Sequence, residues 1–159
     1  MPRLIEATPP RDTYRFAVVV SSYHDFVTER LQAGAIAALT AAGVSDTAVT
    51  IVKVPGAFEI PVAARIAAQS GRFHAVICLG CLIRGATPHF DYIASAVAHG
   101  LTDAAGATGV PIAFGVLTTN SIEEAVERAG DGPSNKGWEA ARAALDMAGV
   151  VDQLANGRS

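Results

Sequence analysis

The chain has 159 residues, enough for one domain with a sizeable buried core, and half of them are apolar, which is typical of a globular protein. The formal net charge is −3 and the charged residues are scattered singly, so the basic stripe of a nucleic-acid-binding protein is missing. No segment has the roughly 18 consecutive apolar residues of a membrane-spanning helix, and the N-terminus has no apolar signal segment, which predicts a cytoplasmic protein without a membrane partner.

The predicted elements alternate between short apolar strands and longer helices along the whole chain. The first strand, 15–22, precedes a helix over 25–42 that ends at Gly43, and the second strand, 48–54, precedes a helix over 60–70. The second half repeats this order, with predicted strands at 74–80 and 111–119 and predicted helices at 88–105, 121–130 and 136–154.

Strands that are apolar on both faces and separated by helices predict a parallel sheet with helices on both sides. We therefore expect a four-stranded α/β sandwich formed by a single domain at 14–159, preceded by an N-terminal arm at 1–13 that contains Pro9 and Pro10. Ligands of such sheets bind beyond the carboxyl ends of the strands, which directs the search for a site to the loops that follow them.

Cys78 and Cys81 in the third strand form a C-x-x-C motif, a spacing shared by redox-active thiols and by half of many zinc sites. Residues three apart on a strand point to opposite faces, which does not suit a redox pair. A zinc site would need further ligands, and the chain has no other cysteine. We expect two buried packing residues and no metal site.

The segment after the third strand, LIRGATPHFD, has the composition of an anion-binding helix start. Gly85 allows close backbone approach, Thr87 offers a hydroxyl at the expected N-cap, and the free amides of a helix start attract anions. Pro88 fits the first position of that helix. The same residues also describe an ordinary helix start, so both interpretations stay open at this point.

His89 comes next and favours a functional site, because an imidazole can exchange protons near neutral pH. The structural alternative is an ordinary surface histidine. The other histidines, His24, His74 and His99, lack comparable neighbours in the sequence.

Four residues in the other loops and elements each have a structural and a functional interpretation. Glu59 suits the positive end of a helix and equally suits a polyhydroxylated ligand. Tyr23 is either a structural tyrosine or an aromatic ring that stacks on a flat heterocycle. Phe114, in the middle of a strand, is expected in the core, and Arg128 is either a cation at a helix C-terminus or a phosphate clamp.

Common signatures of cofactor chemistry are missing from the sequence. It contains no dinucleotide fingerprint, no phosphate-binding loop, no H-E-x-x-H zinc motif and no nucleophile elbow. We therefore predict a site that uses no cofactor.

Four separated strings nevertheless form a specific combination: PGAFEIP, LIRGATPHFDY, FGVLTTN, and ERAG followed by NKG. In this order and spacing the sequence resembles the 6,7-dimethyl-8-ribityllumazine synthase family of riboflavin biosynthesis over roughly residues 15–154. The resemblance implies a flavodoxin-like fold and the condensation of 5-amino-6-(D-ribitylamino)uracil with 3,4-dihydroxy-2-butanone 4-phosphate, with release of phosphate and water.

The resemblance also implies a set of site residues. A ring at the first strand end stacks on the pyrimidine, the second loop holds the ribityl chain, the end of the third strand offers backbone groups to the pyrimidine, and the loop after it binds phosphate. Phe114 enters the site from the adjacent subunit. The implied residues are His89 as the proton shuttle and, for substrate binding, Tyr23, Ala57, Glu59, Cys81, Leu82, Ile83, Gly85, Ala86, Thr87, Phe114, Arg128 and Lys136.

Three positions depart from the family's pattern. Tyr23 stands where phenylalanine or tryptophan is expected, His24 where many members have asparagine, and Cys81 is unusual at its position.

The resemblance further implies a homo-oligomer, at least a pentamer, with a 60-subunit shell left open. Two alternative functions remain, a non-catalytic carrier of a lumazine or flavin and a thiol oxidoreductase.

Overall fold

Four parallel strands form the centre of the computed structural model, which describes residues 1–157. They are β1 (Phe16–Ser21), β2 (Val49–Val54), β3 (Ala75–Ile83) and β4 (Ile112–Thr119), in the order β2-β1-β3-β4. The helices are α1 (Asp25–Ala41), α2 (Ile60–Gln69), α3 (His89–Thr108), α4 (Ile122–Arg128) and α5 (Lys136–Asn156), with short 3₁₀ helices at Asp46–Ala48 and Ala57–Glu59.

The sheet is buried between two layers of helices because alternate side chains of its central strands point to opposite faces. Val18 and Val20 of β1 join a core cluster with α1, α4 and α5. Ala17 and Val19 join a second cluster with α2 and α3. This arrangement confirms the predicted α/β sandwich of flavodoxin-like type with a four-stranded parallel sheet.

Two strands differ from the sequence prediction. β2 lies at an edge of the sheet and leaves Thr50, Ile51 and Lys53 exposed, so it is not apolar on two buried faces. β3 continues three residues past its predicted end at Gly80. The reason is that β4 supplies backbone partners for this extension, with Ile83 in register with Thr119.

Asn135 connects α5 to the loop before it and to α1. Its side chain is 3% exposed and accepts hydrogen bonds from the backbone N–H groups of Gly137 and Trp138, as expected of a residue that caps a helix. It also donates to the carbonyl oxygens of Arg30 and Gly130, at 3.2 and 2.8 Å. All the polar groups of this buried amide are thus used to fix the start of α5.

The N-terminal segment lies along α5. The Glu6 carbonyl accepts a hydrogen bond of 2.7 Å from Gln153 Nε2, and Arg11 Nε lies 3.2 Å from a carboxylate oxygen of Asp152. The division into an arm at 1–13 and a domain at 14–159 stays a prediction, and the last two residues of that domain lie outside the described part.

His74 forms a small cluster at the amino ends of the strands. Its Nδ1 accepts a hydrogen bond of 3.0 Å from the Arg15 N–H, and its ring stacks on Tyr14 at 4.9 Å between centroids. Burial lowers the pKa of His74 from its ordinary value of 6.5, opposed by Asp152 and assisted by Arg15. A proton on Nδ1 would also remove the hydrogen bond from Arg15.

We predict that acid weakens the fold through His74. Since its folded pKa is lowered, its contribution is fully present above the unfolded pKa of about 6.5 and is lost as pH falls through the folded pKa. The loss should stay below about 1 kcal/mol because His74 is only partly buried, and solvent screens the part of its ring that remains exposed. Between pH 7 and pH 5, the free energy of unfolding measured in urea should decrease less in His74→Gln than in the wild type. An equal decrease in both proteins would contradict the prediction.

Candidate active site

A pocket of about 910 Å³ lies at the carboxyl edge of the sheet. Its walls come from the ends of β1 and β3 and from the starts of α2 and α3, as expected for a ligand site in a parallel sheet. Nine predicted site residues line it: Tyr23, Ala57, Glu59, Cys81, Leu82, Ile83, Gly85, Thr87 and His89. Ala86 lies between two of them in the chain.

Tyr23 and His24 form an aromatic wall where β1 ends. The Tyr23 N–H donates to the Pro55 carbonyl at 3.0 Å, which fixes its backbone, while its side chain is 68% exposed and free to stack on a ligand. His24 lies edge-on to that ring at 4.5 Å and also lines the pocket.

His24 adopts the left-handed backbone conformation, with φ of 59° and ψ of 49°, which is unusual for residues other than glycine and asparagine. Burial lowers its pKa from the ordinary value of 6.5. His24 is not among the implied site residues, although it stands where many members of the family have asparagine. Its position next to Tyr23, at the carboxyl end of a strand, is the signal that could have identified it.

The second wall is the turn from β2 into α2. Gly56 precedes the 3₁₀ helix Ala57–Glu59, in which Ala57 is buried. A Cβ atom at Gly56 would lie 3.1 Å from Glu59 Oε1, so the glycine leaves room for this carboxylate. Glu59 thus lies where α2 begins, as predicted, and it faces the pocket.

The turn between β3 and α3 has free backbone donors. Within the described chain, the N–H groups of Gly85, Ala86 and Thr87 donate to no protein acceptor, and these residues are exposed. Three such donors next to the positive end of a 20-residue helix can bind an anion. His89 is the first residue of that helix and is exposed toward the same pocket.

Two predictions for this turn are wrong. The N-cap of α3 is Pro88 rather than Thr87, and no side chain caps the helix. Pro88 therefore lies one residue before the first helical position. The Thr87 hydroxyl is consequently not used by the helix and remains available to a ligand.

The remaining predicted residues, Phe114, Arg128 and Lys136, line a separate pocket of about 330 Å³ along β4, α4 and α5. Phe114 is 47% exposed, so the expectation that it lies in the core is wrong. Arg128 Nη1 donates to the Glu124 carbonyl at 3.2 Å, and Lys136 Nζ lies 2.7 Å from a Glu139 oxygen. One chain therefore does not bring Arg128 into the pocket of His89.

The two cysteines are packing residues on opposite faces of β3, as predicted. Cys78 belongs to the cluster with α2 and α3, and Cys81 to the cluster with α1 and α5. Burial raises the pKa of both thiols, that of Cys81 to about 11. The C-x-x-C spacing therefore does not form a reactive pair.

We predict that neither thiol reacts rapidly in the native protein. At pH 8 an aromatic disulfide reagent should modify Cys78 and Cys81 at least about a hundredfold more slowly than it modifies a small free thiol, because few thiolates exist and both are buried. In guanidinium chloride both thiols should react at once. A fast-reacting thiol in the native protein would restore the redox interpretation.

Two further features concern membranes and metals. None of the helices in residues 1–157 has the length and apolar character needed to cross a bilayer. The same residues contain no group of three or more His, Cys, Asp or Glu side chains suited to holding a metal ion.

The fold and the edge pocket define an α/β protein with a cavity suited to a small molecule, in which an aromatic wall, a turn with free backbone N–H groups and a histidine meet. Comparison with known sequences gives the family: the model of 6,7-dimethyl-8-ribityllumazine synthase matches residues 13–152. The synthase of Desulfatibacillum aliphaticivorans is 45% identical over 97% of this chain and 99% of its own length. That of Syntrophus aciditrophicus strain SB is 48% identical over 97% of this chain and its whole length. The chain belongs to the 6,7-dimethyl-8-ribityllumazine synthase family.

Proposed function

We propose that this protein condenses 5-amino-6-(D-ribitylamino)uracil with 3,4-dihydroxy-2-butanone 4-phosphate to form 6,7-dimethyl-8-ribityllumazine in riboflavin biosynthesis. The family match and two relatives with this name, each aligned over nearly its whole length, support the reaction. The observation that carries the assignment of the site is the convergence of nine implied residues on one pocket.

The aromatic and carboxylate walls suit the pyrimidine substrate. Tyr23 offers an exposed ring for stacking, and the segment Cys81–Ile83 offers backbone groups at the end of a strand. Glu59 and the backbone at Ala57 face the same space and can hydrogen-bond the hydroxyl groups of a ribityl chain. We assign this half of the pocket to the ribitylaminouracil.

The turn of Gly85, Ala86 and Thr87 suits the phosphate of the second substrate. Its N–H groups have no protein acceptor in residues 1–157, and the following helix directs its positive end toward them. A phosphate held there would place the butanone carbons near His89, which lines the same pocket.

His89 is the proton shuttle in this proposal. The amine of the pyrimidine adds to the ketone, and the adduct loses water to form an imine. Loss of a proton from the neighbouring carbon then expels phosphate and leaves an enol, which becomes a second ketone. The ribityl-bearing nitrogen closes the ring onto that ketone, with loss of a second water. Each step moves a proton between nitrogen, carbon and oxygen, and one imidazole can accept and return it. Holding both substrates in one pocket supplies the other part of the rate acceleration.

We predict that His89→Ala lowers kcat about a hundred- to ten-thousandfold, the usual contribution of a positioned acid–base group. The Kd for the pyrimidine substrate should change little, because Tyr23 and Glu59 remain. Steady-state kinetics and equilibrium titration with the pyrimidine measure the two effects separately. Lost pyrimidine binding with an unchanged kcat would reassign His89 to recognition.

We further propose a homo-oligomer, at least a pentamer, in which an adjacent subunit completes each site. Phe114, Arg128 and Lys136 lie outside the pocket of His89 in their own chain, which favours their contribution to a neighbour's site. An apolar stripe on the α2 side of the molecule supports assembly: Phe58, Val62 and Ile66 are 60–62% exposed.

The two buried free thiols fit the reducing cytoplasm, where we place the enzyme.

A mixture of two defective variants tests the shared site. Arg128→Ala should raise KM for the phosphate substrate at least about tenfold, because a charged hydrogen-bond donor is lost. When His89→Ala and Arg128→Ala subunits are dissociated and reassembled together, about one quarter of the interfaces should combine an intact His89 with an intact Arg128. The activity of the mixture should therefore return to about one quarter of the wild-type activity.

Each variant reassembled alone is the control and should stay defective. A mixture no more active than its separate components would place the whole site within one chain and contradict the shared arrangement.

A further inference from the structure

Arg84 lies between the end of β3 and the anion-binding turn, and its guanidinium contacts two other segments. Its Nε donates to Asn120 Oδ1 at 3.0 Å, and its Nη1 lies 3.2 and 3.3 Å from the two carboxylate oxygens of Asp91. Its guanidinium carbon lies 4.5 Å from the centroid of the Phe90 ring. The guanidinium therefore joins the end of β4 to the first turn of α3.

Asn120 extends this network to α4. Its backbone N–H donates to Glu124 Oε2 at 3.0 Å, and the Glu124 N–H donates to Ser121 Oγ at 3.2 Å. This pair of bonds fixes the start of α4, whose last residue is Arg128. One arginine thus connects the start of the helix that carries His89 to the start of the helix that carries Arg128.

The turn itself has few other restraints. Gly85 has no atom within 4 Å of a Cβ position built on it. Gly85, Ala86 and Thr87 are exposed and their N–H groups have no acceptor in the described chain. Before the turn, the Arg84 backbone N–H continues the β3 ladder by donating to the Thr119 carbonyl at 2.9 Å.

We propose that Arg84 is a positioning residue for the reaction: its guanidinium holds the turn 85–87 and the first turn of α3 in the geometry in which His89 and the phosphate site act together. The inference rests on the function proposed above for His89 and the turn. The polar partners of Arg84, Asn120 and Asp91, do not line the pocket, whereas Phe90 does. Arg84 therefore acts on the pocket through the first turn of α3, which carries both Phe90 and Asp91.

The chemistry of the contacts requires arginine. The planar fork donates in two directions while its face covers an aromatic ring, which the single ammonium group of lysine cannot do. The Arg84 side chain is 45% exposed and that of Asp91 is 62% exposed, so their ion pair adds little to the free energy of unfolding. Its loss should therefore appear in the rate rather than in stability.

Arg84→Lys tests the proposal, with Arg142→Lys as a matched control. Arg142 is 48% exposed and forms an ion pair of 3.2 Å with Asp146 on α5, away from the edge pocket. Arg84→Lys should lower kcat about ten- to a hundredfold, the cost of a small misplacement, while KM for the pyrimidine stays within about twofold. Both variants should melt within about 4 °C of the wild type.

The Asn120 acceptor provides a second test that does not alter the arginine. Asn120→Asp keeps an oxygen for Arg84 Nε and should retain nearly the wild-type kcat, whereas Asn120→Leu removes it and should lower kcat in the same direction as Arg84→Lys. Equal kcat in the two Asn120 variants, a wild-type kcat in Arg84→Lys, or an equal decrease in Arg142→Lys would each overturn the proposal.

The same assay separates this inference from the function on which it rests. If the wild type does not form the lumazine, or if His89→Ala retains full activity, the proposed function fails. If the wild type is active and His89→Ala is not, the Arg84 and Asn120 variants decide the positioning role alone.

Discussion

The parallel pairing of β3 with β4 is the constraint on which the site depends. Their register runs from Val76 opposite Ile112 to Ile83 opposite Thr119, two residues beyond the buried part of β3, which ends at Cys81. Because both strands run in the same direction, their carboxyl ends meet at one edge, and the turn at 85–87 begins there. The ladder thereby places the turn with free backbone N–H groups, His89 and the end of β4 within one structural unit.

β4 also explains why the implied residues divide into two groups. It is an edge strand, so its far side is not covered by another strand of the same sheet. Phe114 in β4, Arg128 at the end of α4 and Lys136 at the start of α5 line the pocket on that side. A surface that carries three of the thirteen implied site residues at a sheet edge suits contact with a neighbouring subunit, and this makes assembly part of the chemistry we propose.

The sequence predicts the order and type of the elements well because the apolar patterns are long and each connection is short. It predicts the turn after β3 less well. Thr87 is a good N-cap by residue type, and proline is common at the first helical position, yet the helix begins only at His89 and no side chain caps it. Residue preferences locate this helix start only to within one residue.

The other errors have a common cause, which is contact between segments distant in the chain. Phe114 is in mid-strand, and only the sheet order shows that its strand lies at an edge. The contacts of Arg84 with Asn120 join residues 36 positions apart, so no local pattern reveals them. The loops after the strands indicate five of the nine pocket residues, Tyr23, Glu59, Gly85, Thr87 and His89, because the carboxyl ends of parallel strands meet at one edge. The other four come only from the resemblance to a family, whose motifs already contain the outcome of long-range contacts.

The central claim is that the edge pocket catalyses the condensation rather than only binding its product. The most direct measurement is the rate at which the purified protein forms fluorescent lumazine from the two substrates, compared with a blank without protein, because the substrates condense slowly unaided. A rate at least about a hundredfold above the blank is the predicted result for a site with a positioned acid–base group. A rate equal to the blank, together with tight binding of lumazine, would contradict the claim and indicate a carrier.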